Sequence, residues 1–134
     1  MNSQTILVAE DNSTNRELIR EILEARGHRI LEACDGEEAL ALTRSEKPSL
    51  ALIDIQMPKL SGLQLIQLVR QDSELAKIPM IALTAFAMKG DRESAIQHGF
   101  DGYVSKPFNI PVLLAEIDRC ANARQGKSVA ARIA

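Results

Sequence analysis

The 134-residue sequence predicts an α/β domain, a doubly wound parallel sheet of five strands with helices on both faces. Two observations carry this expectation. Short apolar runs alternate five times with segments whose apolar residues recur at three- and four-residue spacing. Strands that alternate with helices pair in parallel through right-handed crossovers, in sheets covered on both faces. In addition, four of the runs end on polar residues: Leu7-Val8-Ala9 on Glu10-Asp11, Leu50-Ala51-Leu52-Ile53 on Asp54, Ile81-Ala82-Leu83 on Thr84, and Tyr103-Val104-Ser105 on Lys106. Ligands of open parallel sheets bind outside the carboxyl ends of the strands, so these residues would share one site.

Residues 5–9 read as the first strand. The helix over 12–26 follows from Leu18, Ile19, Ile22 and Leu23. Thr14 and Glu17 fit a capping box, and Asn12 or Ser13 serves equally well as the cap. Gly27 ends the helix by admitting a left-handed backbone. His28 to Ala33 is the second strand. Asp35-Gly36-Glu37-Glu38 opens the second helix with acids where the helix dipole favours them, and Lys47-Pro48 follows its end near Ser45.

Residues 49–53 form the third strand, and 58–62 a loop. The third helix, from about Gly62 to Gln71, buries Leu65, Ile66 and Val69. Ile78-Pro79 leads into a strand at 80–83. A weakly apolar helix over 89–98 ends at Gly99, and a short strand covers 101–105. Asn109 caps a last helix that uses Ile110, Leu113, Leu114 and Ile117, with Pro111 tolerated in the first turn. Apolar periodicity lapses near Asn122. The expected organisation is one domain over 1–121 and a flexible tail over 122–134.

Composition narrows the function. Apolar content of 46%, charged content of 25% and a net charge of −2 describe an ordinary globular domain, with no field favouring nucleic acid or an acidic membrane. No run approaches the roughly 20 apolar residues of a membrane span, and the start lacks the features of a signal peptide. Cys34 and Cys120 lie in no metal-binding spacing and read as reduced, at least partly buried thiols. A cytoplasmic location is expected.

An ionised carboxylate is costly to bury unless it is paired or binds metal, so Asp54 at the end of an apolar strand implies a polar partner. Glu10, Asp11 and Asp54 would be close together. Two unit charges about 4 Å apart repel by roughly 4 kcal/mol at an effective dielectric near 20, which a proton or cation must relieve. Oxygen ligands without histidine or cysteine point to Mg²⁺, with the backbone carbonyl of Gln56 offering another oxygen. Beside a divalent cation and the Lys106 ammonium, a carboxylate can attack a phosphoryl group, and the Thr84 hydroxyl can donate to a phosphoryl oxygen.

Each segment alone has a plainer reading: helix-starting acids, a capping threonine, a loop lysine. Together, Val8-Ala9-Glu10-Asp11-Asn12, Ile53-Asp54-Ile55-Gln56-Met57-Pro58, Ser61-Gly62, Leu83-Thr84-Ala85 and Tyr103-Val104-Ser105-Lys106-Pro107-Phe108 resemble the receiver domain of two-component response regulators over roughly residues 4–121. The resemblance implies a flavodoxin-like fold with strand order 2-1-3-4-5. It implies Asp54 as phosphoacceptor, and Mg²⁺ held by Glu10, Asp11, Asp54 and the Gln56 carbonyl. Lys106 would contact the phosphoryl group, Thr84 and Tyr103 would form a switch pair, and Lys106-Pro107 would be cis. Gln56 and Phe86 would tune hydrolysis of the acyl phosphate. Phe86 cannot hydrogen-bond an attacking water, so slow hydrolysis is expected. Glu10 stands where many relatives have aspartate.

The resemblance further implies a stand-alone switch rather than an enzyme acting on other molecules. The phosphoryl group would come from a phosphohistidine of a histidine kinase or phosphotransfer protein docking near 12–23 and Pro107-Phe108. The face made by the fourth helix, fifth strand and fifth helix would bind a downstream protein effector. The protein would act as a monomer or weak dimer, with no nucleic-acid or membrane partner. The stretch from Thr84 to Asp91 looks most like regulators of the cell cycle and polarity, and like receivers of hybrid kinases. The alternatives are a receiver excised from a hybrid histidine kinase and an Mg²⁺-dependent aspartyl-phosphate phosphohydrolase. Such a phosphohydrolase usually has an acid where this chain has Gln56. A nucleotide or flavin binder would need a glycine-rich loop where Glu10-Asp11-Asn12 stands. His28 and His98 lie away from the site.

Overall fold

A computed structural model describes the backbone of residues 4–85, 91–107 and 109–133, and the side chains of these segments other than Asp91 and those from 122 on. Strands and helices alternate: β1 Thr5–Ala9, α1 Ser13–Ala25, β2 Arg29–Ala33, α2 Gly36–Glu46, β3 Leu50–Asp54, α3 Gly62–Gln71, β4 Met80–Thr84, α4 Asp91–His98, β5 Gly102–Ser105 and α5 Ile110–Ile133. All pairings are parallel and the order is β2-β1-β3-β4-β5, the expected flavodoxin-like order.

The two-residue period of the strands divides the core. Leu7, Ala9, Ala51, Ile53, Met80 and Ala82 face one way and pack with Ala39 of α2, Leu65, Ile66 and Val69 of α3, and Ala95 of α4. Ile6, Val8, Leu50, Leu52, Ile81, Leu83 and Val104 face the other way and pack with Ile19 and Leu23 of α1 and Leu113, Ile117 and Cys120 of α5. The central strands are apolar on both faces because both are covered, and burying each large aliphatic side chain contributes roughly 1.5–3 kcal/mol.

The cap of α1 is Asn12, whose side chain accepts from the Asn15 N–H at 3.0 Å. Asp35 caps α2 by accepting from the Glu38 N–H at 2.8 Å, and Lys47 closes it in a left-handed conformation at φ 45°. At α3, Ser61 and Gln64 form a reciprocal capping box. Asn109 accepts from Val112 N–H at the start of α5.

The backbone of α5 is helical to Ile133, beyond the point where apolar periodicity lapses. Loss of apolar periodicity removes a reason to pack, not the helix propensity of Ala123, Arg124, Gln125, Lys127, Ala130 and Ala131. Cys34 is exposed rather than partly buried, because it lies just past the end of edge strand β2 where the chain turns into α2. Cys120 is buried, and burial pushes its thiol up to about 11. Among the described residues, no helix is long and apolar enough to cross a membrane.

Candidate functional site

β1 and β3 are adjacent at the centre of the sheet, and their register pairs Ala9 with Ile53. The residues that follow, Glu10 and Asp54, therefore emerge side by side. Both continue the alternation that points Val8 and Leu52 toward the face covered by α1 and α5, and so does Lys106 after Val104. Asp54 itself belongs to β3, paired with Leu83, one residue beyond the expected strand end. Lys106 offsets the cost of that acid in a strand.

Glu10 is 1% exposed and Asp54 3%, while Asp11 is exposed. Carboxylate oxygens of all three lie within 4.8 Å of one another. Asp54 Oδ1 accepts the Gln56 N–H at 2.9 Å, and Asp54 Oδ2 accepts from Lys106 Nζ at 2.9 Å. Lys106 Nζ also lies 2.5 Å from Glu10 Oε2 as an ion pair. Among the described residues, Oε2 is a buried oxygen held by this ion pair and by no other polar group. Glu10 Oε1 instead accepts the Asn12 N–H at 3.2 Å.

Burial pushes the Glu10 carboxyl above its ordinary range and the charge of Asp54 adds to the push, against the pull of Lys106 and the Asn12 N–H. Burial alone would lower Lys106, but its bonds to Glu10 and Asp54 outweigh burial and hold the ammonium above its ordinary range. The pocket thus carries two buried carboxylates, one exposed carboxylate and one half-buried cation. Charge remains uncompensated, and the donors are all oxygens. The excess negative charge and the oxygen-only set fit a hard divalent cation.

Thr84 ends β4, 4% exposed, and its carbonyl accepts the Lys106 N–H at 2.7 Å. Tyr103 is half-buried against the core on the α2–α4 side, its Cα level with Ala82 two positions before Thr84. By strand alternation Thr84 and Tyr103 share a face, opposite to that of Asp54 and Lys106. Ser61-Gly62 closes the far side. A Cβ on Gly62 would lie 2.7 Å from Ile55 Cα and 2.8 Å from the Asp54 carbonyl oxygen, so only glycine lets α3 start this close to the acid. Lys106-Pro107 is cis. Phe86 and Phe108 lie outside the described residues.

Three groups near the site were not legible in the sequence. Arg16 of α1 donates to the Glu10 carbonyl at 2.7 Å. Glu116 of α5 accepts the Tyr103 N–H at 2.9 Å and pairs with Arg119 and Arg92. A groove of about 420 Å³ lies beside Lys106, lined by Asn15, Leu18, Ala85 and Pro107. The spacing of α1 does place Leu18 among its apolar residues, yet it is 41% exposed at this groove instead of packed in the core.

Comparisons with known proteins agree with this arrangement. The polar-differentiation response regulator DivK of Brucella anthropi is 43% identical over 114 residues, covering 85% of this chain and 93% of that protein. The receiver domain of a sensor histidine kinase from Pseudomonas aeruginosa, solved with magnesium coordinated in its active-site cleft, is 32% identical with a TM-score of 0.82, covering 90% of this chain and 99% of that one. The receiver domain of a Francisella response regulator is 28% identical with a TM-score of 0.83, covering 90% of this chain and 98% of that one. The response regulator receiver domain model matches residues 6–118, and the chain belongs to that family, the receivers of two-component systems.

Proposed function

We propose that this receiver is a signalling switch written by phosphorylation of Asp54. The observation that carries the reading is the buried Asp54 carboxylate, bonded to Lys106 at 2.9 Å with the Glu10 and Asp11 carboxylates alongside. One Asp54 oxygen attacks phosphorus as the phosphorus–nitrogen bond of a donor phosphohistidine breaks. The bonding pair leaves with the imidazole, which takes up a proton. Lys106 stays against Asp54 and neutralises charge on the transferring oxygens, and Thr84 donates its hydroxyl to one of them. The Gln56 N–H holds the other carboxylate oxygen in place.

Glu10, Asp11, Asp54 and the Gln56 carbonyl would hold Mg²⁺. When bound, the ion supplies Lewis-acid stabilisation of the phosphoryl charge. In this reading Asp54 serves as a phosphoacceptor rather than as the nucleophile of an enzyme that turns over other substrates.

The donor is a histidine kinase or a histidine phosphotransfer protein, and the groove of Asn15, Leu18, Ala85, Lys106 and Pro107 suits its docking. The groove adjoins Lys106 and presents an apolar side chain. The added phosphoryl charge is held by Lys106 and draws Thr84 toward it, and Tyr103 follows Thr84, repacking the α4–β5–α5 face that a downstream protein effector reads. With Phe86 unable to orient an attacking water, the acyl phosphate lasts well beyond seconds. Similarity to the polar-differentiation regulator DivK supports a place in polarity control, and the reading extends to cell-cycle control and a cytoplasmic location. Incubation with Mg²⁺ and phosphoramidate tests the reading by intact mass. One phosphoryl adduct is expected on the wild type and none on Asp54→Ala; equal adducts on both proteins would refute it.

A further inference from the structure

Glu10 carries four polar atoms, and three are tied down by hydrogen bonds at the β1 exit. Its N–H donates to Ala33 O at 3.0 Å, its Oε1 accepts from Asn12 N, and its carbonyl accepts from Arg16 Nη1 at 2.7 Å. The fourth atom, Oε2, points into the acid site. Arg16 supplies the one side-chain donor in that set. Its side chain is 19% exposed, and the guanidinium spans two elements, because Nε also bonds Glu32 Oε1 of β2 at 3.3 Å. Arg20 holds the other Glu32 oxygen at 3.1 Å.

A cation near the start of α1 opposes the helix dipole, and the first turn of α1 contains no acid to balance it. A residue that breaks a local rule and turns inward to a buried carbonyl is one whose placement serves the site.

We infer that Arg16 is a positioning residue for the divalent cation: latched to Glu32, it fixes the Glu10 backbone and so aims the Glu10 carboxylate into the site. This rests on the reading of Glu10, Asp11 and Asp54 as the metal-binding acids. Lysine at position 16 can still donate to the Glu10 carbonyl but cannot span to Glu32 as well. Methionine has no donor and leaves the carbonyl of a buried residue unpaired.

The test is the Mg²⁺ dissociation constant of the whole protein, followed by amide chemical shifts of the β1–α1 loop well below the unfolding temperature. The thermal midpoint is recorded without Mg²⁺ alongside. Arg16→Met is expected to bind Mg²⁺ about tenfold more weakly, the scale usual for losing a group that orients a metal ligand, and Arg16→Lys to recover most of that loss. Arg16→Met that melts early yet binds Mg²⁺ as the wild type does would overturn the inference, since Arg16 would then support the fold alone. Should Arg16→Met fail to fold, Glu32→Gln serves in its place, with an expected weakening of about threefold. An unchanged constant there overturns the inference equally. A wild type that binds no Mg²⁺ removes the metal reading itself, a failure seen before any variant is made.

Discussion

Replacing Lys106 by methionine removes the cation that lies 2.9 Å from Asp54 and 2.5 Å from Glu10. Two carboxylates, 1% and 3% exposed, are then left buried without a countercharge. With their oxygens no more than 4.8 Å apart, their repulsion at an effective dielectric near 20 is at least roughly 3.5 kcal/mol. Proton uptake sets a ceiling on the damage. Moving one carboxyl from an ordinary value of 4.5 to protonation at pH 7.5 costs about 4 kcal/mol, and at pH 5.5 about 1.4 kcal/mol.

Lys106→Met is therefore expected to lose about 4 kcal/mol at pH 7.5, near the range for breaking a buried pair, and far less at pH 5.5. The direction follows from Glu10. Its carboxyl already stands above its ordinary value, so its ionisation in the fold is unfavourable, and stability is lost as pH rises from that ordinary value through the raised one. Without Lys106 the loss deepens. Lys106 acts in the opposite range. Its stabilisation is complete below the ordinary lysine value and disappears as pH rises through its raised one. Urea denaturation at the two pH values, with and without Mg²⁺, checks this, and Mg²⁺ should stabilise the variant more than the wild type. A variant as stable as the wild type at pH 7.5, or one that loses equally at both pH values, would refute the electrostatic account of the site.

Gly62→Ala, with its Cβ forced to 2.7 Å from Ile55 Cα, should cost about 1–3 kcal/mol in chemical denaturation and slow phosphorylation of Asp54. Burial raises the Glu116 carboxyl, but Arg119 and the Tyr103 N–H outweigh it and hold it below its ordinary value. Its stabilisation is thus present above that ordinary value and lost as pH falls through the lowered one. Glu116→Gln should accordingly lower the thermal midpoint at pH 7, with the gap to wild type closing in acid. Leu18→Asp, at an exposed position, should change stability by no more than about 0.5 kcal/mol. It should leave phosphorylation by phosphoramidate intact, but slow transfer from a phosphorylated histidine phosphotransfer protein at least tenfold.

Much of this architecture is written locally. Apolar runs such as Leu50–Ile53 mark strands because both sheet faces are covered, and polar residues at their ends mark the site because parallel strands all leave the sheet at one edge. Asp54, Asp11, Glu10, Thr84 and Lys106 were legible for that reason. What was hidden depends on contacts between elements distant in sequence. Asp54 extends β3 because its backbone pairs with Leu83 of β4, and Lys106, fifty-two positions away, bonds its carboxylate. Arg16 reads as an ordinary exposed helix residue until β2 supplies Glu32 and the β1 exit supplies a carbonyl. Glu116 reads as a surface acid until the edge strand presents the Tyr103 N–H. The cap of α1 was ambiguous among Asn12, Ser13 and Thr14, because each is a good capping residue and only the backbone at Asn12, with ψ 114°, decides.

The central claim is that the phosphoryl group is carried by Asp54 and by no other acid of the cluster. Borohydride reduces an acyl phosphate on aspartate to homoserine, which marks the residue permanently. After treatment with phosphoramidate and Mg²⁺, then borohydride, peptide mass spectrometry should find homoserine at position 54 and aspartate retained at Asp11. Homoserine at Asp11, or none anywhere in a protein that had gained a phosphoryl mass, would contradict the account.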